Sequence, residues 1–139
     1  MGKCRRITNL ELIILSAFPS DYYCCASQIE LNKLDPKECL VEVKSESGIL
    51  STESIIEKIE ELGDELALVL FPGVQYYTGQ VFDMKAIIEA SHRVGAVCGL
   101  DLAHAVGNVS LDLHNWAPDF AVWCNYKVFK SYLIPSSNR

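Results

Sequence analysis

Apolar residues along this chain fall into short continuous runs separated by stretches with helical spacing, and that alternation predicts strands and helices in succession. Leu10–Ala17 (LELIILSA) reads as a buried strand. A helix follows, with Ser20 as its cap, Asp21 in its first turn, and Tyr22, Cys25 and Ile29 leading on to Leu31. Leu40–Lys44 alternates as a short strand, and Ser51–Leu62 places Ile55, Ile56, Ile59 and Leu62 on one helix face, ended by Gly63. Ala67–Phe71 (ALVLF) is a continuous run of the kind that parallel strands show when both sides are covered, and Pro72 and Gly73 break it. The loop Val74–Gly79 (VQYYTG) suits either a ligand-facing loop or a packed turn. Asp83 caps a helix carrying Met84, Ile87, Ile88 and Val94, closed by Gly95. Ala96–Leu100 and Asp119–Cys124 are the last strands, with a turn or short helix in His104–Pro118. The order predicts an α/β fold, a mostly parallel sheet flanked by helices, without internal repeats.

Composition narrows the function classes. With 139 residues, half of them apolar, the chain is sized for one domain with an ordinary core. Its apolar runs fall far short of the roughly 20 residues of a bilayer span, and Met1–Arg6 leads into no secretory signal, so a cytoplasmic location without a membrane partner is expected. A formal charge of −6 argues against a nucleic-acid partner, which requires a basic face. The cysteines Cys4, Cys24, Cys25, Cys39, Cys98 and Cys124 form no CxxC pair and read as buried thiols. His92, His104 and His114 lack ligand spacing, so no metal site is expected.

Chemistry concentrates between Gly99 and Lys127. Asp101 falls at the carboxyl end of a predicted strand, where open α/β sheets bind ligands, and His104 follows three residues on. A carboxylate in that place serves equally as a helix cap. Lys127 lies just beyond the next apolar strand, where an amine is paired, solvated or used covalently. Tyr126 beside it can donate to a phosphate, relay a proton or simply pack. An acid at one strand end and an amine past the next is one way to hold an aromatic, nitrogen-containing aldehyde cofactor.

The segments FPSDYY, GVQYYTGQ, GLDLAHAVGNV and WCNYK together resemble the kynureninases, from about Leu12 to Lys127. Cysteine desulfurases usually have His immediately before the cofactor lysine, where this chain has Tyr126. The resemblance implies the large cofactor-binding domain of the aspartate-aminotransferase fold type and pyridoxal 5'-phosphate as cofactor. It implies that Lys127 carries the cofactor and moves protons, that Asp101 pairs with the ring nitrogen, and that His104 lies beside the ring. Tyr126 would bond the phosphate and assist proton transfer, and Phe18 would stack on the ring with Pro19, Ser20 and Asp21 completing the wall. The implied reaction is hydrolysis of kynurenine or 3-hydroxykynurenine to anthranilate or its 3-hydroxy form plus alanine, in tryptophan breakdown and NAD synthesis, by a homodimer.

Two departures go with it. Pro72 stands where some members have a phosphate-contacting Ser, and it offers neither N–H nor hydroxyl. The ends 1–9 and 128–139 do not resemble the family, so a partial domain over 10–127 with atypical ends is expected, lacking the second domain and its substrate-binding Arg. Such a piece is either an enzyme fragment or a non-catalytic chain that at most binds the cofactor or pairs with a complete subunit, with exposed sheet edges that favour aggregation.

Overall fold

The computed structural model describes residues 10–14, 17–43, 45 and 47–127, with side chains from Ala17 onward. Its elements are β1 (Leu10–Ile14), α1 (Pro19–Leu31), α2 (Pro36–Cys39), β2 (Leu40–Val43), α3 (Thr52–Leu62), β3 (Leu66–Pro72), α4 (Met84–Val94), β4 (Val97–Asp101), α5 (Leu113–Trp116) and β5 (Phe120–Val122). The five strands lie in the order β2-β1-β3-β4-β5, and every strand pairing is parallel. Because the order reverses direction at β1, the topological switch point lies at the carboxyl ends of β1 and β3, the place where such sheets take ligands.

The helices α3 and α4 form where the spacing indicated, and their ends are chemically fixed. Ser51 accepts from the Ser54 N–H at 3.0 Å, and Asp83 accepts from the Ala86 N–H at 3.0 Å. Gly95 closes α4 at φ 82°, a left-handed conformation that costs glycine no Cβ clash. The inward faces of these helices, with Ile55, Ile59, Ile87 and Ile88, pack on Val69, Phe71, Cys98 and Leu100 of the central strands. Register places Val69 beside Cys98, so these four strand residues share one sheet face and define the dry core. The alternate residues Val97, Phe120 and Val122, on the other face, are exposed.

Several expectations need correction. Ser20 does not cap α1: the helix starts at Pro19, whose fixed φ suits the first helical position, and Phe18 is the N-cap. The Ser20 hydroxyl instead reaches Asp21 Oδ1 at 3.4 Å. Asp101 stands at the carboxyl end of β4 as expected, whereas Pro72 does not break β3 but ends it, as the partner of Asp101 in register. The one-turn helix α2 went unpredicted because four residues carry no period. Cys25 and Cys98 are buried, with burial pushing the Cys98 thiol up to about 11, but Cys24 is exposed on α1. Cys4 and both expected atypical ends lie outside the described residues. Among the described residues no helix is long and apolar enough to cross a membrane, and no cluster of His, Cys, Asp and Glu could hold a metal ion.

Candidate active site at the carboxyl edge of the sheet

Parallel strands deliver every chain exit to the same edge, so residues distant in sequence meet there. Phe18 and Asp21 follow β1, Gln75 and Tyr76 follow β3, Asp101 and His104 close and follow β4, and Lys127 follows β5. Close packing underlies this edge: a Cβ on Gly73 would fall 2.8 Å from Leu102 Cδ2 and 2.9 Å from Met84 Sδ. The Gly73 N–H donates to the Asp101 carbonyl at 2.9 Å, which locks the exits of β3 and β4 together.

Asp101 serves as a local cap and also faces a second acid. Its Oδ1 accepts from the Ala103 N–H at 2.8 Å, capping the turn that carries His104. Its carboxyl group also hydrogen-bonds that of Asp21. Burial, and then the charge of Asp101, push Asp21 from 3.8 up to about 6, while Ser20 and Lys127 pull it back. The first turn of α1 favours a negative charge, but a helix terminus contributes only ~0.3–1 kcal/mol, too little to offset two facing carboxylates. Asp21 therefore holds its proton to a higher pH than an isolated carboxyl group does.

Lys127 Nζ lies 3.2 Å from His104 Nε2 and 5.2 Å from the centroid of the Phe18 ring. An ammonium carries donors only, so Nε2 accepts and the His104 proton belongs on Nδ1. The aromatic face adds a cation–π attraction at this separation. Phe18 is held in turn by Tyr76, whose ring centroid is 5.4 Å away at 84°. Phe18, Asp21, Asp101, His104 and Lys127 are thus brought into one group, with the Ser20 hydroxyl on Asp21 and Pro19 opening α1 between Phe18 and Ser20. Tyr126 is not joined to them: it is 74% exposed.

This donor set fits the ring end of pyridoxal phosphate: an acid pair for a protonated ring nitrogen, an aromatic face for stacking and an amine for an aldehyde. The phosphate end is less provided for, since Pro72 has no N–H and the Gly73 N–H is already engaged with Asp101. The sequence left the loop Val74–Gly79 open between a ligand-facing loop and a packed turn, and did not single out Tyr76 within it. The signal was the aromatic and polar mixture of VQYYTG immediately after a buried strand.

The fold is that of a parallel α/β protein, with a candidate ligand site across its strand ends. Residues 38–129 match the family model "Aminotransferase class-V", and the chain belongs to that family. The family is pyridoxal-phosphate dependent. Among curated proteins, the chain is 56% identical over 117 residues to a kynureninase of Flavobacterium psychrophilum, covering 83% of this chain and 28% of that protein. It is 54% identical over 117 residues to a kynureninase of Nematostella vectensis, covering 83% and 25% respectively. The chain thus spans about a quarter of the length of the curated relatives it matches. Among solved structures, the cysteine desulfurase CsdA of Escherichia coli superimposes with a TM-score of 0.68 at 14% identity, over 84% of this chain and 28% of that one.

Proposed function

We propose that this chain is the cofactor-holding part of a kynureninase-type hydrolase, which cleaves kynurenine or 3-hydroxykynurenine to anthranilate or 3-hydroxyanthranilate and alanine. The observation that carries this reading is the convergence of Phe18, Asp21, Asp101, His104 and Lys127 on one edge of the sheet, in a chain half identical to kynureninases. When bound, pyridoxal phosphate supplies an aldehyde carbon for amines and a protonated ring that accepts electrons. Phe18 would support the ring face, and Asp101, backed by Asp21, would hold the ring-nitrogen proton. Lys127 Nζ would carry the cofactor and take and return the proton at the substrate α-carbon, with His104 orienting the amine. Tyr126 would turn inward to the phosphate. Residues 10–127 would form the partial cofactor domain of a cytoplasmic homodimer that contributes to tryptophan breakdown and NAD synthesis.

A second reading, a non-catalytic fragment that binds cofactor or pairs with a complete subunit, has its own support. Arg93, the one arginine among the described residues, is bonded to Glu60 at 2.8 Å and stands on the helical side, away from Lys127. No guanidinium in that set is free for a substrate carboxylate.

Visible spectra of the chain mixed with pyridoxal phosphate test the shared part. The expected outcome is an absorption band of bound cofactor in the wild type and none in Lys127→Ala. Identical spectra overturn the assignment of Lys127. Alanine release from 3-hydroxykynurenine, lost in Lys127→Ala, decides for the hydrolase, and its absence from a cofactor-loaded chain decides for the second reading.

A further inference from the structure

The loop after β3 is more rigid than its length requires. It closes on an isolated antiparallel bridge between Val74 and Val81. Gln75, only 4% exposed, points its Oε1 inward, where it accepts from the N–H groups of Tyr77 and Thr78 and from the Thr78 hydroxyl. The Gln80 side chain meets both backbone groups of Leu50, accepting from its N–H at 3.1 Å and donating to its carbonyl, which ties the loop to the segment before α3. Buried amide groups satisfied in this way fix a backbone as a hydrogen-bonded turn does.

What this scaffold presents is Tyr76, set edge-to-face against Phe18. Phe18 is the N-cap of α1 and 41% exposed, and Tyr76 is 42% exposed, so each ring has the other as a neighbour on a side that solvent would otherwise share. Lys127 Nζ stands over that ring. We propose that Tyr76 is a positioning residue: held by the Gln75 loop, it fixes the plane of Phe18 and thereby the place of the Lys127 amine. Tyr77, next in the loop and 85% exposed, has its ring 6.4 Å from that of Tyr76 and makes no ring contact with Phe18 among the described residues. The consequence for cofactor affinity rests on the function proposed above, whereas the geometric claim stands without it.

Reductive methylation with a 13C label gives each lysine an NMR signal, and Lys127→Arg identifies that of Lys127. A ring face 5.2 Å away displaces this signal from the position of exposed lysines, and Phe18→Leu supplies the undisplaced reference. Tyr76→Leu is expected to remove at least half of the displacement, while Tyr76→Phe and Tyr77→Leu retain it. Tyr76→Met, also apolar and ringless, makes the same comparison if Tyr76→Leu does not fold by circular dichroism. On unmethylated protein, equilibrium dialysis should show pyridoxal phosphate bound ~2- to 10-fold more weakly by Tyr76→Leu, the worth of one edge-to-face contact. A displacement that persists in the ringless variants overturns the inference whatever the cofactor does. A displacement that responds to Tyr76, in a chain that retains no cofactor, supports the positioning role and overturns the functional reading alone.

Discussion

Asp119 and Asp21 stand at opposite edges of one sheet, and their surroundings drive them in opposite directions. Asp119, at the amino edge before β5, accepts from the Cys98 N–H at 2.7 Å and lies 3.0 Å from His92 Nε2 at the end of α4. Those bonds, the backbone one first, hold its carboxyl below the ordinary 3.8. Asp21, at the carboxyl edge, faces another carboxylate and is raised to about 6. The first acid is satisfied by its own fold and joins a helix to two strands. The second is kept at a cost to the fold that Ser20 and Lys127 only partly offset. Of the two, the carboxyl group with the raised pKa lies at the candidate functional edge, as perturbed groups at ligand sites do.

The largest expected effect on stability is at the amino edge. Asp119→Ala should lower unfolding free energy at pH 7 by about 1–2 kcal/mol in urea titrations, because the Cys98 N–H and His92 lose their acceptor. A carboxyl group held low contributes stability that is present above its unfolded value and lost as pH falls through the folded one. The difference between variant and wild type should therefore shrink below pH 4 and vanish in stronger acid.

At the carboxyl edge the sign reverses. A carboxyl group raised in the folded state binds its proton more tightly there than in the unfolded chain, so wild-type stability should fall as pH rises from 3.8 through about 6. Asp21→Asn should remove that fall. It should leave the variant about 1 kcal/mol more stable at pH 7, a figure already reduced for the solvent screening of a half-exposed group. The same change should weaken retention of pyridoxal phosphate, as expected where a site holds strain for its ligand. Equal pH profiles for Asp21→Asn and wild type would break the contrast between the two edges.

The contrast also explains what the sequence could reveal. The helices α3 and α4 and strands β3 and β4 were legible because period, caps and the closing Gly95 are local signals. Asp101 was legible as a strand-end acid, since continuous apolar runs in this order imply parallel strands with a common carboxyl edge. The role of Asp119 was not, because it depends on His92, 27 positions away, and DFAVWC shows it only as the start of a strand. The pairing of Asp21 with Asp101 was likewise hidden. FPSDYY reads locally as a helix start, and burial against a carboxylate from β4 arises only once the sheet is assembled. Tyr76 shares that difficulty, since its contact with Phe18 crosses from the exit of β3 to the exit of β1.

The most direct test of the carboxyl edge as a cation-receiving site is a titration of aspartate side-chain carboxyl carbons by 13C NMR, with and without pyridoxal phosphate. Without cofactor, Asp21 should titrate near 6 and Asp119 below 3.8. With cofactor, the Asp21 midpoint should move down as a ring cation replaces the shared proton, and Asp119 should not move. Titration of both groups near 4, unchanged by the cofactor, would contradict the account.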